Sequence, residues 1–212
     1  MARRGTLIIV SGPSGSGKSA IAAGVLGSLA NLQFSISYTT RVPRGQEVSG
    51  IEYHFVSRER FDQLIRDGEF LEWAEVYGNL YGTSRRAVDA VLDSGKDVLL
   101  DIDVQGAKLV RSECPGAISV FIMPPSYSVL RERLEQRKLD KDYVIEQRLR
   151  TACKEIRLFV DYDYLIINEC LGRSVEELKA IILGLRCRRA CRAGEAQAIV
   201  ATFGETDAED SR

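Results

Sequence analysis

Gly12, Gly17, Lys18 and Ser19 satisfy the pattern G-x-x-x-x-G-K-[ST] without a gap. The apolar run Thr6–Val10 precedes them and a helical pattern over Lys18–Ala30 follows. Strand, glycine-rich loop and helix in that order give the pattern its physical meaning. The glycines let the loop fold back and aim its N–H groups inward. The helix adds its positive N-terminal end, and the result is a cradle for phosphate. Ser14, Gly15 and Ser16 complete the stretch. In such a cradle Lys18 reaches the β- and γ-phosphates, and the Ser19 hydroxyl ligates Mg²⁺.

A pair of carboxylates supports this chemistry. The run "DVLLDID" ends in Asp101 and Asp103. Ligands of open α/β sheets bind at the carboxyl ends of the strands. Residues two apart on a strand share a face, so both side chains would point together. Asp101 would then hold Mg²⁺ through water beside Ser19. The alternative is that one of the two caps the helix beginning near Val104.

A second anion site is written in the loop "TTRVPRGQEVSG", Thr39–Gly50. It carries Arg41 and Arg44, with hydroxyls at Ser37, Thr39 and Thr40 beside them. Guanidinium forks match phosphate oxygens, and Tyr53 and Tyr81 offer phenolic donors. Solvated loop charge is the plainer reading of the same arginines. Two phosphate sites in one small chain point instead to phosphoryl transfer between two nucleotides.

The elements that must position these residues alternate along 212 residues. β-type runs near 6, 97, 117 and 162 are separated by helical patterns, which predicts an α/β fold with a mainly parallel sheet flanked by helices. Residues 34–96 interrupt the alternation with shorter, more polar strands. Phe70–Tyr77 and Tyr81–Thr83 flank a turn read at Gly78–Asn79. Helices are expected over Ser126–Arg137, Asp142–Phe159 and Ser174–Arg192, and a disordered acidic tail from residue 193. His54, the single histidine, reads as structural. With 29 basic and 30 acidic side chains, no basic excess points to nucleic acid. No apolar run approaches the roughly 20 residues of a membrane span. The five cysteines have no paired spacing, which fits reduced thiols in the cytoplasm.

Further motifs make the pattern specific. Ser37–Phe55 reads "SYTTRVPRGQEVSGIEYHF", Phe70–Ser84 reads "FLEWAEVYGNLYGTS", and Leu100–Gly106 reads "LDIDVQG". "PPS" at Pro124–Ser126, "RLEQR" at Arg133–Arg137 and "YDYLIIN" at Tyr162–Asn168 follow in order. Over residues 5–190 the chain resembles the guanylate kinases, P-loop kinases that convert GMP to GDP with ATP. The resemblance implies three moving parts. A core spans 5–33, 97–125 and 159–192, a GMP-binding lobe 34–96, and a lid 126–158, with 193–212 outside them. Arg41, Arg44, Tyr53 and Tyr81 would hold the GMP phosphate. Ser37, Glu72, Thr83 and Asp103 would surround guanine, with Gly82 and Asp101 grouped beside them. Arg137 and Arg148 would swing onto the transferring phosphoryl group, with Lys18 and Arg44 completing the charge. Asn168 is expected at the adenine.

Guanine offers N1–H and N2–H₂ as adjacent donors, and the Glu72 carboxylate can accept both. AMP would leave that carboxylate buried and unpartnered, a discrimination of roughly 10⁴ or more. The implied partners are ATP with Mg²⁺ and GMP or dGMP, in a cytoplasmic monomer or homodimer. A non-catalytic scaffold module of the same fold would lack the loop lysine and lid arginines present here. A kinase of another monophosphate or a phosphorylated sugar would not need Glu72 and Ser37.

Overall fold

The computed structural model describes residues 3–136 and 142–204. In chain order it runs β1 (Leu7–Ser11), α1 (Lys18–Leu26), β2 (Leu32–Phe34), β3 (Tyr38–Thr39), β4 (His54–Phe55), α2 (Arg58–Arg66), β5 (Phe70–Val76), β6 (Asn79–Ser84), α3 (Arg85–Asp93), β7 (Asp97–Asp101), α4 (Val104–Glu113), β8 (Ile118–Met123), α5 (Tyr127–Gln136) and α6 (Asp142–Glu155). A 3-10 turn, Ile156–Asp161, leads into β9 (Tyr164–Ile167), α7 (Leu171–Arg186) and α8 (Arg189–Gly204).

The core is a five-stranded, all-parallel sheet in the order β2-β7-β1-β8-β9. Its central strand is apolar from Leu7 to Val10 because both faces are covered. Ile8 and Val10 join Ile21, Val25, Leu178 and Ile182 on the α1/α7 side. Leu7 and Ile9 join Val88, Leu92, Ala107 and Val110 on the α3/α4 side. Strands buried on both faces lose the polar alternation of a half-exposed sheet. At the base of the sheet, Asp97 is 1% exposed. It accepts from Arg3 Nη2 at 2.7 Å, from the Thr6 amide at 2.8 Å and from Arg186 Nε at 2.7 Å.

A second sheet, ordered β4-β3-β6-β5, has its own hydrophobic cluster of Phe61, Leu64, Phe70 and Leu80. Helices α5 and α6 pack on one another through Leu130, Leu134, Ile145, Leu149 and Ala152.

The structure departs from the sequence expectations in several places. β2 begins before residue 34 and pairs with β7, so it adds a fifth strand to the core sheet. The hairpin turn sits at Tyr77–Gly78, one residue earlier than read, because Val76 pairs with Asn79. The helix expected over Asp142–Phe159 tightens into the 3-10 turn after Glu155. The helix expected over Ser174–Arg192 begins at Leu171 and stops at Arg186, and a separate helix starts at Arg189. The expected disordered tail is helical as far as Gly204. Ala190, Ala193, Ala196, Ala198 and Ala201 explain this last departure, since alanine has the highest helix propensity. The acidic remainder of the tail lies outside the described residues.

Candidate active site

The loop between β1 and α1 turns on residues that only glycine tolerates easily. Gly12 has φ 140 and Gly17 φ 99. A Cβ at Gly12 would collide with the Ile122 carbonyl oxygen, and one at Gly17 would run into Asn168 Nδ2. Lys18 opens α1, and its Nζ donates to the Gly12 carbonyl at 2.8 Å and the Pro13 carbonyl at 3.1 Å. The ammonium is thereby held over the loop. Val10 of β1 lies opposite Asp101 of β7 in the sheet, which brings both strand ends to one edge. Ser19 Oγ donates to Asp101 Oδ2 at 2.6 Å across that edge. A hydroxyl and a carboxylate are hard oxygen donors of the kind Mg²⁺ takes, and this ion usually keeps several waters and substrate phosphates besides. Among the described residues no group of three or more His, Cys, Asp or Glu side chains is placed to hold a metal ion.

Asp103 parts company with Asp101. The strand ends at Asp101, and Asp103 caps α4 by accepting from the Gln105 amide at 2.7 Å and the Gly106 amide at 3.4 Å. The capping alternative therefore holds for Asp103. It still contributes charge to the neighbouring pocket. Gly106 lies between, and a Cβ there would sit 2.5 Å from Glu72 Oε2 and 3.7 Å from Asp103 Oδ2. Glu72 is 5% exposed. Thr83 Oγ1 donates to Glu72 Oε1 at 2.6 Å, across the β5–β6 ladder where the two residues pair. Burial pushes the Glu72 carboxyl up to about 7, and the Asp103 charge adds to the rise. Gly82 supports this ribbon, since a Cβ there would come 2.9 Å from the Phe70 ring. Ser37 is half-buried beside β3, and its carbonyl accepts from the His54 amide at 2.9 Å. His54 itself stacks at 4.6 Å on Tyr38, a packing role.

The residues expected to form a second anion site gather beside the same small sheet. Arg41 is 8% exposed. Its Cζ lies 5.2 Å from the Tyr53 ring centroid and 5.6 Å from that of Phe55. The Tyr53 and Tyr81 rings meet edge-on at 5.8 Å. Burial pushes the Tyr53 phenol up to about 12, with the Asp101 charge adding to it, so this phenol is a donor at neutral pH. Arg44 is exposed, and its backbone amide donates to Glu47 Oε2 at 2.7 Å.

Several participants carry no signal in their own spacing. Glu47 Oε1 accepts from Arg41 Nη2 at 2.9 Å, so one carboxylate orders both arginines of the loop. Arg133 reads in the sequence as part of a solvated face. Its guanidinium reaches back to the Asn168 carbonyl at 2.8 Å and the Ser16 carbonyl at 3.4 Å. Asn168, expected at the adenine, is 4% exposed. Its Nδ2 donates to the Ser16 carbonyl at 2.7 Å, and its Oδ1 accepts from Ser174 Oγ at 3.1 Å. Both ends of the amide are engaged within the protein, and the residue braces the phosphate loop. Arg148 lies on α6, 9% exposed, with its Cζ 5.1 Å from the Tyr77 ring centroid. Glu155, at the end of α6, has its carboxyl raised by burial while the Lys18 charge opposes the rise. Arg137 lies outside the described residues. A separate cavity of about 500 Å³, lined by Arg4, Leu7, Leu71, Val88, Glu113 and Cys191 among others, holds none of these groups.

Known proteins share this chain's pattern over most of its length. The family model described as guanylate kinase matches residues 4–184. The chain belongs to the guanylate kinase family. The guanylate kinase of Alkalilimnicola ehrlichii is 48% identical over 184 residues, covering 87% of this chain and 91% of that protein. That of Geobacter metallireducens is 46% identical over 89% of this chain and 93% of its own. Among solved structures, the guanylate kinase from Anaplasma phagocytophilum superposes with a TM-score of 0.76 at 34% identity, covering 89% of this chain and 90% of that one. The family membership and that likeness agree with the parallel core sheet, so the fold is that of a P-loop nucleoside monophosphate kinase. No described helix is long and apolar enough to cross a membrane.

Proposed function

We propose that the loop Gly12–Ser19 takes the phosphates of ATP and that the β3–β6 sheet takes GMP, with the γ-phosphoryl group passing between them. The overall reaction is that of the family: the chain is an ATP:GMP phosphotransferase. The observation that carries the division of sites is Glu72, an acid buried beside Thr83 on the same small sheet as the Arg41, Tyr53 and Tyr81 cluster. One ligand that satisfies both is a purine monophosphate with adjacent N–H donors on its base. Guanine has them and adenine has not.

Arg41, Tyr53, Tyr81 and Arg44 grip the acceptor phosphate. Glu72, Thr83, Ser37 and Asp103 surround the base. Lys18 spans the β- and γ-phosphates, and Ser14, Gly15, Ser16 and Gly17 wrap them with backbone amides. Mg²⁺ arriving with ATP would be held by Ser19 and, through water, by Asp101, and would supply positive charge at the phosphates. Arg44 approaches from the acceptor side. Arg148 and Arg137 approach from the lid, and the Arg137 role rests on the family resemblance. No general base is needed, because a loose transition state is served by positioning and charge neutralisation. Closure of the lobe (34–96) and lid (126–158) on the core excludes water and prevents idle ATP hydrolysis. The site of action is the cytoplasm.

The test is ADP release from ATP and Mg²⁺ with GMP, dGMP, AMP or UMP as acceptor. GMP and dGMP should turn over, and AMP should fall behind by roughly 10⁴ in kcat/KM. Equal rates with AMP and GMP would refute the role of Glu72.

A further inference from the structure

We propose that Tyr77, at the tip of the β5–β6 hairpin, is a positioning residue for Arg148 on the lid helix. The inference rests on the reading of Arg148 as a contact to the transferring phosphoryl group, and extends it to the residue that aims the guanidinium.

The first observation is backbone strain. Val76 pairs with Asn79, which leaves a two-residue turn of Tyr77 at φ 50 and Gly78 at φ 77. Two positive φ values define the turn that favours Asn-Gly or Asp-Gly. A bulky aromatic in that region is an outlier. The turn is held by Asn79 Nδ2, which donates to the Tyr77 carbonyl at 3.2 Å. Such strain persists where the surroundings over-determine it, and it gathers at functional sites. Asparagine at position 77 would make an easier hairpin, so the ring has a use other than the turn.

The second observation is what the ring touches. Arg148 Cζ lies 5.1 Å from its centroid, inside the ~6 Å reach of a cation–π contact. Arg148 is 9% exposed although it is charged. An aromatic face beneath a guanidinium attracts it and limits the directions it can take.

The third observation is the ribbon itself. Its strands carry Glu72, Tyr81 and Thr83, and its tip carries Tyr77. Residues that recognise the acceptor and the residue that aims the lid arginine are thus parts of one rigid hairpin. The same element that receives GMP sets the direction of Arg148.

The test compares Tyr77→Asn, which removes the ring and suits the turn, with Tyr77→Phe, which keeps the ring. At saturating ATP and GMP, Tyr77→Asn should lower kcat roughly 3- to 30-fold. KM for GMP and the melting temperature should hold, and Tyr77→Phe should match the wild type. In an Arg148→Lys background, Tyr77→Asn should have little further effect. Unchanged kcat in Tyr77→Asn, equal impairment in Tyr77→Phe, or full additivity with Arg148→Lys would overturn the proposal. Should Arg148→Ala itself leave kcat unchanged, the reading of Arg148 falls and the proposal falls with it. Should Arg148→Ala be crippled while Tyr77→Asn is not, the proposal alone falls.

Discussion

Base recognition by this chain should depend on pH through a single proton. Glu72 is buried, and its carboxyl is pushed up to about 7 from the ordinary 4.5. Burial is the main cause and the Asp103 charge adds to it, against the pull of the Thr83 hydroxyl. Only the carboxylate accepts both N1–H and N2–H₂ of guanine, so below that value the proton must leave before the base can bind. Affinity for the guanine edge should weaken about tenfold between pH 8 and pH 6 and level off above. Guanosine is the ligand to use, because a phosphate monoester titrates near 6 on its own account. Calorimetry in two buffers of different ionisation enthalpy should show close to one proton released per guanosine at pH 6 and few at pH 8. Glu72→Gln should bind weakly at both values with no proton released. Wild-type affinity that is equal at pH 6 and pH 8 would refute this account of the pocket.

The same proton has a consequence for folding. Between the ordinary value of 4.5 and about 7, the folded chain keeps a proton on Glu72 that the unfolded chain has lost. The stability this group contributes therefore falls as pH rises through that window and stays low above it. Glu72→Gln carries no such proton, and its amide can still pair with Thr83. It should be more stable than the wild type at pH 8, by up to about 3 kcal/mol in urea unfolding. A gain at pH 8 that disappears near pH 5 would identify the buried charge as its source.

Three further outcomes can be checked on purified protein. Lys18→Ala should lower kcat by about 10² or more while GMP binding is retained, and steady-state kinetics with GMP titrations would separate the two. Asn168→Leu removes the bond to the Ser16 carbonyl and the partner of Ser174. It should raise KM for ATP about tenfold, leave KM for GMP alone, and be read by varying each substrate in turn. Asp97→Ala strips Arg3, Arg186 and the Thr6 amide of a shared acceptor at the base of the sheet. It should destabilise by about 3 kcal/mol in urea unfolding, with both KM values unchanged.

How legible these parts are in the sequence depends on how local their physics is. The phosphate loop is legible because one contiguous stretch supplies the glycines, the lysine and the hydroxyl. The core strands are legible because cover on both faces writes unbroken apolar runs such as Leu7–Val10. Asp101 and Asp103 look equivalent on a strand of period two, yet the chain leaves the sheet between them and the second becomes a helix cap. That choice is made where α4 starts, and spacing alone leaves both options open. Arg133 and Asn168 are harder still. One sits on a helix with charged neighbours and the other follows an apolar strand, and they meet at the Ser16 carbonyl 117 and 152 residues away in sequence. No periodicity encodes a contact of that range. Tyr77 is the instructive case. Gly-Asn looks like the turn and tyrosine does not, so the sequence places the corner one residue late. Local propensity argues against tyrosine there, and its ring meets Arg148, far downstream on another element. A residue that breaks a local rule signals a distant partner, and the partner has to be found in three dimensions.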